Sequence, residues 1–79
     1  MMWTLDSFRE ACSKNGIPPE AYALYGEADN AYCLEKVGAE WLIYFSERGE
    51  RQEVGWAKSE SQALGLLRLF LQEAYGKLI

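Results

Sequence analysis

The residues in this chain that could carry out chemistry are two cysteines and a large set of carboxylates. The sequence contains no histidine, which removes the most frequent general base and metal ligand. Cys12 and Cys33 have no metal-ligand spacing between them and lie next to apolar residues, so we predict buried, reduced thiols. A cysteine without histidine rarely acts as a nucleophile, and the glycines occur singly rather than in a phosphate-binding loop. Acid–base catalysis by carboxylates alone is the remaining enzymatic option, and we expect no enzyme activity, no cofactor and no metal.

The carboxylates are concentrated in the middle third of the chain. The net charge is −4, and residues 27–53 hold seven acids, which are Glu27, Asp29, Glu35, Glu40, Glu47, Glu50 and Glu53. The same segment holds three bases, which are Lys36, Arg48 and Arg51. Contacts to phosphates require clustered Lys and Arg, so we expect no nucleic-acid partner. Two interpretations of the segment stay open: a solvated sheet surface that prevents aggregation, or an electrostatic docking site for a basic protein.

Length and composition limit the elements that can position these side chains. A chain of 79 residues, 49% of them hydrophobic, predicts one folded domain that spans residues 1–79. The densest apolar stretch, residues 63–71, is too short to span a bilayer and contains Arg68. The N-terminal residues lack a basic leader followed by an apolar run. We therefore expect a cytoplasmic protein without a membrane partner.

The first third of the chain predicts a short helix followed by an irregular connection. Thr4 can cap a helix whose apolar face contains Leu5, Phe8 and Cys12. Asn15-Gly16 supplies a left-handed stop, and the two prolines that follow it prevent continuation. Pro19 can start one further helical turn through Tyr22, and residues 22–26 are expected to cross the core without regular structure.

The middle third changes from helical to alternating periodicity and predicts three strands, over residues 31–37, 40–46 and 51–58. Gly38 allows a tight first hairpin, and residues 47–50 suit a four-residue or bulged second turn. One face of this antiparallel meander is predicted to be buried and to contain Tyr32, Leu34, Trp41, Ile43, Phe45, Val54 and Trp56. Leu42 and Tyr44 must then point to the opposite face, where we expect them to be exposed.

The final segment predicts a helix that begins with a capping box, in which Ser59 accepts from the Gln62 amide and Gln62 reaches back. Its apolar stripe comprises Ala63, Leu64, Leu66, Leu67, Phe70, Leu71, Ala74 and Tyr75, with Leu69 off the stripe as an exposed contact. The predicted fold is α+β, in the order α-β-β-β-α, with both terminal helices packed on one face of a three-stranded antiparallel meander.

Exposed apolar side chains inside an acidic rim have the usual anatomy of a protein-binding hot spot. We predict a partner-binding surface made of Glu27, Asp29, Glu40, Leu42, Tyr44, Glu47, Arg48, Glu50 and Glu53. For residues 46–49 a purely structural role is an equal alternative. Gly49 would then serve the turn, and Ser46 or Glu47 would satisfy its amides.

Three segments of the chain resemble small bacterial immunity proteins of polymorphic toxin systems. The segments are residues 32–36 (YCLEK), residues 41–49 (WLIYFSERG) and residues 59–63 (SESQA), and the resemblance covers about residues 22–75. It implies a cytoplasmic, non-catalytic protein that neutralises a cognate toxin domain, often by covering the toxin's active site. The charge of this chain adds the expectation of a basic cleft on the toxin. The alternative is a small acidic interaction or regulatory module unrelated to toxins.

Overall fold

The computed structural model describes residues 2–77, which form two α-helices, one 3₁₀ turn and a four-stranded sheet. The elements in chain order are α1 (Leu5–Lys14), the 3₁₀ turn (Pro19–Ala21), β1 (Tyr22–Leu24), β2 (Ala31–Val37), β3 (Glu40–Glu47), β4 (Glu50–Ala57) and α2 (Glu60–Tyr75). The strands lie in the order β1-β2-β3-β4, with β1 parallel to β2 and the other pairs antiparallel. The predicted α+β class is confirmed, whereas the three-stranded, purely antiparallel sheet is wrong.

The additional strand is β1, which occupies residues predicted to be irregular. Tyr22 pairs with Tyr32 and Leu24 with Leu34, so this short strand extends the sheet beyond β2. All three of its residues are half-buried, and the segment therefore lacks the alternation that marks a strand in sequence. The connection to β2 runs only from residue 25 to residue 30, shorter than the usual crossover between parallel strands.

The predicted caps of α1 are confirmed. The Thr4 hydroxyl accepts from the Ser7 amide at 3.0 Å, and the Ser7 hydroxyl accepts from the Thr4 amide at 2.9 Å. After the helix, Gly16 has a φ of +75°, a left-handed conformation that glycine adopts without steric cost. Phe8 and Cys12 are fully buried on the face that packs against the sheet.

The helix α2 begins as predicted, but its cap differs in detail. Ser59 accepts from the Gln62 amide at 3.1 Å, whereas the Gln62 side chain accepts from the Lys58 amide at 2.9 Å rather than from Ser59. Its buried residues are Ala63, Leu64, Leu67 and Leu71, with Leu66 and Phe70 partly buried beside them. The predicted stripe is wrong at its end, because Ala74 and Tyr75 are exposed. Leu69 is exposed, as predicted.

Two tight turns set the register of the antiparallel strands. Between β2 and β3, φ is positive at Gly38 and at no neighbouring residue, which fits a type II′ turn. Between β3 and β4, φ is +52° at Arg48 and +79° at Gly49, which fits type I′. The second turn thus has two residues rather than the predicted four-residue or bulged turn, and Glu47 and Glu50 pair as the ends of their strands.

The main core lies between the two helices and one face of the sheet. Leu34 and Ile43 from the sheet pack there with Phe8, Leu64 and Leu67 from the helices. The predicted packing of both helices on one sheet face is therefore confirmed. A register shift opposite Ile43 and Tyr44 places a β-bulge in β4, and beyond it Trp56 pairs with Leu42 rather than facing the helices. The prediction that Trp56 is buried is wrong.

Candidate functional site

The candidate site is the sheet face opposite the helices, which we call the open face. Its residues follow from the strand register and form three cross-strand rows: Ala31–Ser46–Arg51, Cys33–Tyr44–Glu53 and Glu35–Leu42–Trp56, with the pair Val37–Glu40 beyond them. A second, small core on this face consists of Ala31, Cys33, Leu42 and Tyr44, with Ala23 and Ala28 packed against it.

Leu42 and Tyr44 point away from the helices as predicted, but the prediction that they are exposed is wrong. Their side chains are 5% and 1% exposed, respectively. Ala28, in the connection between β1 and β2, packs against this small core. The Arg51 guanidinium lies 4.4 Å from the centre of the Tyr44 ring. Neither residue can therefore act as a surface anchor in this conformation.

Arg51 joins three parts of the open face. Its Nη1 lies 3.1 Å from Oε2 of Glu35 on β2, and its Nη2 lies 2.9 Å from Oε2 of Glu27 in the connection after β1. The hydrogen bond to Glu27 is the largest influence that raises the pKa of Arg51 above its ordinary value. All three side chains are partly solvent-exposed, and exposed pairs contribute little to stability. Beside Arg51, an open groove of about 400 Å³ is lined by residues that include Tyr25, Glu27, Glu35 and Tyr44.

The connection over residues 25–30 is fixed near both ends. At its start, Tyr25 accepts a hydrogen bond from the Trp41 indole at 2.9 Å and donates to Glu60 at 2.5 Å. Near its end, Asp29 Oδ1 accepts from the backbone N–H of Arg48 at 2.7 Å. Tyr25 has a φ of +63°, a left-handed conformation that is uncommon for tyrosine. These contacts hold the connection over the open face, where Ala28 packs against the small core and accepts from the Cys33 thiol.

The two cysteines are buried and form no disulfide, as predicted. Burial raises the pKa of the Cys12 thiol to about 11, so the thiol is protonated at neutral pH. The Cys33 thiol donates towards the carbonyl oxygens of Ala31 and Ala28, at 3.6 and 3.8 Å. Burial is also the main cause that raises the pKa of Tyr44 to about 12. A buried thiol that stays protonated, as that of Cys12 does, is unsuited to nucleophilic attack.

Trp56 is an exposed aromatic side chain on the open face that the sequence analysis assigned to the core. It is 45% exposed, and its indole N–H donates to Oε1 of Glu53 at 3.3 Å. Glu35 lies in the same cross-strand row, on the other side of Leu42. Val37, which is 43% exposed, pairs with Glu40 at the edge of this patch. The sequence held one signal for this, because a glycine inside a predicted strand, here Gly55, often marks a β-bulge. The bulge turns Trp56 outward.

The predicted partner-binding residues fall into two groups. Glu27, Glu40, Leu42, Tyr44 and Glu53 belong to the open face, although Leu42 and Tyr44 are covered. Asp29, Glu47, Arg48 and Glu50 lie at the β3–β4 turn. Glu40 and Glu47 stand at opposite ends of β3, roughly 23 Å apart at about 3.3 Å per residue. The acidic middle third thus forms two surfaces.

The turn group contains residues with a structural function. Arg48 and Gly49 are the two central residues of the type I′ turn, and Asp29 satisfies the Arg48 amide. Ser46 is buried beside Arg51 on the open face. The structural alternative for residues 46–49 is thus supported for Gly49. That alternative expected Ser46 or Glu47 to accept from the amides of the turn. The Arg48 amide donates to Asp29 instead.

Within residues 2–77, no group of three or more His, Cys, Asp or Glu side chains is arranged to hold a metal ion. In the same range, neither helix combines the length and the apolar character that crossing a membrane requires. No family model matches the sequence, and neither the curated proteins nor the solved structures include a significant match to it.

Proposed function

We propose that this protein is an immunity protein, which binds a cognate bacterial toxin domain through its open face and occludes the toxin's active site. The observation that carries the binding part is the half-exposed Trp56 among the carboxylates of Glu35, Glu40 and Glu53. A large aromatic side chain surrounded by a polar rim is the arrangement that most binding hot spots share. The structure therefore supports a hot spot, centred on Trp56 rather than on Tyr44.

The negative charge of the open face favours a basic partner. Four carboxylates lie on or over this face, those of Glu27, Glu35, Glu40 and Glu53, against the single guanidinium of Arg51. Lys36 borders the same groove, and the carboxylates still outnumber the basic side chains, so the face has a net negative charge. A negative surface of this kind accelerates association with a positively charged cleft, such as one that binds nucleic acid or a phosphate-bearing cofactor.

We infer that the partner is a toxin domain from a sequence resemblance to immunity proteins, which residues 32–36, 41–49 and 59–63 carry. The alternative function is a small acidic interaction or regulatory module that uses the same face on another intracellular protein. The two functions differ in the partner that they require. A toxin domain encoded beside this gene favours the first, and a housekeeping protein favours the second.

The experiment that tests the proposal uses three charge-matched double variants. Glu40→Lys/Glu53→Lys reverses two acids of the open face, Glu47→Lys/Glu50→Lys reverses two at the turn, and Glu20→Lys/Glu73→Lys reverses two exposed acids elsewhere. Each variant changes the net charge by the same amount. A difference in affinity between the variants therefore reflects where the reversed charges lie. Each would be co-expressed with the polypeptide encoded by the adjacent gene. Rescue from growth arrest and the dissociation constant of the purified pair would be measured.

We expect the open-face variant to lose at least 100-fold in affinity and to lose rescue. The control variant should lose less than 10-fold, through the change in long-range charge alone. Equal losses in the open-face and control variants would show that the open face does not bind the partner. Binding without rescue of growth, with a partner that is not toxic, would favour the regulatory module.

A further inference from the structure

We propose that Trp56 and Glu53 form an arginine site, in which the guanidinium of one arginine of the partner stacks on the Trp56 indole and donates to the Glu53 carboxylate. The arginine site rests on the proposed function, because it specifies the side chain with which the partner binds the hot spot. It is supported by the accessibility of the Trp56 ring, by the carboxylate fixed at its edge, and by an equivalent arrangement within the same sheet face.

The open face already holds one guanidinium between an aromatic ring and carboxylates. Arg51 lies 4.4 Å from the centre of the Tyr44 ring. Its terminal nitrogens lie 2.9 and 3.1 Å from carboxylate oxygens of Glu27 and Glu35. The ring attracts the cation to its electron-rich face, and the carboxylates accept the N–H groups that lie in the guanidinium plane. Arg51 thus shows which pair of groups holds a guanidinium on this face.

The three tryptophans of the chain differ in whether the chain itself supplies a cation to the ring. The Arg68 guanidinium lies 5.9 Å from the centre of the Trp3 ring, and the Lys36 ammonium lies 5.2 Å from that of Trp41. Over residues 2–77, no basic side chain lies over the ring of Trp56, which is 45% exposed. The Trp56 ring is therefore accessible to a cation from another molecule.

The Glu53 carboxylate is fixed at the edge of this ring. Its Oε1 accepts from the Trp56 indole N–H at 3.3 Å, and its Oε2 can accept from a second donor. A guanidinium stacked on the indole directs N–H groups in its own plane, so it can contact the ring and that oxygen together. The ammonium of a lysine lacks this planar shape. The pair of groups therefore favours arginine over lysine.

The charges around Trp56 also favour a cation at this point. Besides Glu53, Glu40 lies diagonally opposite Trp56 on β3, at a separation that long side chains can bridge. Lys58, which is exposed and follows Trp56 by two residues, offsets one of these two carboxylates. Arg51 lies beyond Glu53 on β4 and is held by carboxylates of its own. The immediate surroundings of the ring thus keep an excess of negative charge.

The test uses the full chain labelled with ¹⁵N, in which each tryptophan gives its own indole N–H signal in an NMR spectrum. Capped tripeptides with arginine, citrulline or lysine between two glycines are titrated at low ionic strength. Citrulline has nearly the shape of arginine without its charge. We expect the arginine peptide to shift the Trp56 signal saturably and to leave Trp3 and Trp41 nearly unchanged. The citrulline peptide should give no saturable shift, and the lysine peptide should bind at least about threefold more weakly than arginine.

Two pairs of matched variants separate the arginine site from general charge and general exposure. Glu53→Gln should weaken binding of the arginine peptide at least about threefold, whereas Glu73→Gln, at an exposed acid of α2, should change it little. Trp56→Leu should abolish the shifts of the β4 backbone amides, whereas Tyr75→Leu, at an exposed aromatic of α2, should preserve them.

Several results would overturn the arginine site. They are the absence of a saturable shift at Trp56, equal binding of the citrulline peptide, and binding of the lysine peptide as tight as that of arginine. Equal effects of Glu53→Gln and Glu73→Gln, or peptide binding that survives Trp56→Leu, would overturn it as well.

The proposed function can survive the failure of this inference. If the open-face double variant loses the natural partner while the arginine peptide does not bind at Trp56, the partner binds the open face by other contacts. If the open-face and control double variants bind the natural partner equally, the proposed function fails by itself, whatever the peptides do.

Discussion

Replacing Cys12 with alanine should remove part of the protein's sensitivity to alkaline pH. Cys12 is fully buried where α1 packs on the sheet. Burial raises its pKa from 9.0 to about 11, and a hydrogen bond with Tyr22 opposes that rise only in part. Above pH 9 the unfolded chain releases the thiol proton while the folded chain retains it. The contribution of the thiol to stability is therefore complete below pH 9 and is lost as the pH rises towards 11.

The magnitude follows from the difference of about two pKa units between the two states. One unit corresponds to about 1.4 kcal/mol, so the full loss is about 3 kcal/mol. For a single group with these values, the free energy of unfolding falls by about 1 kcal/mol at pH 10 and by about 2 kcal/mol at pH 11. A small domain has a total stability of about 5 kcal/mol or somewhat more, so either loss is measurable.

The assay is urea unfolding followed by tryptophan fluorescence at pH 8 and pH 10, for the natural sequence and for Cys12→Ala. The alanine variant loses packing at both pH values, but its stability should fall about 1 kcal/mol less between them. Asp29→Ala serves as a control, because it is destabilised but keeps the thiol and should retain the whole fall. If Cys12→Ala and the natural sequence lose stability in parallel, the thiol does not titrate as an isolated buried group.

Two further predictions concern the two sides of the sheet. Leu67→Ala should lower the free energy of unfolding by about 2–5 kcal/mol in urea titrations, because Leu67 is fully buried between α2 and the sheet. A loss below about 1 kcal/mol would contradict the packing of α2. Asp29→Ala should cost about 0.5–1.5 kcal/mol through the lost hydrogen bond to the Arg48 amide, whereas Asp29→Asn, which keeps an acceptor oxygen, should cost less. Equal costs for the two changes would indicate that the bond does not stabilise the turn.

Local signals predicted much of the fold. The Thr4 and Ser59 caps, the stop at Gly16 and the strand over residues 31–37 depend on neighbours in sequence, and each occurs in the structure. The strand β1 could not be predicted in this way. Its three residues form a strand only because β2 offers them an edge, and that pairing is a tertiary interaction.

The candidate site was predicted less well, for a related reason. Alternation separated Leu42 and Tyr44 from the helix-facing residues correctly, but alternation does not reveal which face another segment covers. The residues that cover Tyr44, Ala28 and Arg51, lie 16 and seven positions away in sequence. The bulge in β4 changes the face of the sheet on which the Trp56 side chain lies. Simple alternation therefore assigned this exposed side chain to the core. The first error arises from contacts that are not local in sequence, whereas the second had a local signal at Gly55.

The two separate cores have a consequence for how this protein can change over generations. The main core lies on the helix side of the sheet, and the connection over residues 25–30 covers the small core on the other side. Glu40, Glu53 and Trp56 lie outside both cores, where substitutions typically change stability by less than about 0.5 kcal/mol. Under the proposed function, mutations at these positions can therefore follow a partner whose surface changes, while the residues of the two cores are retained.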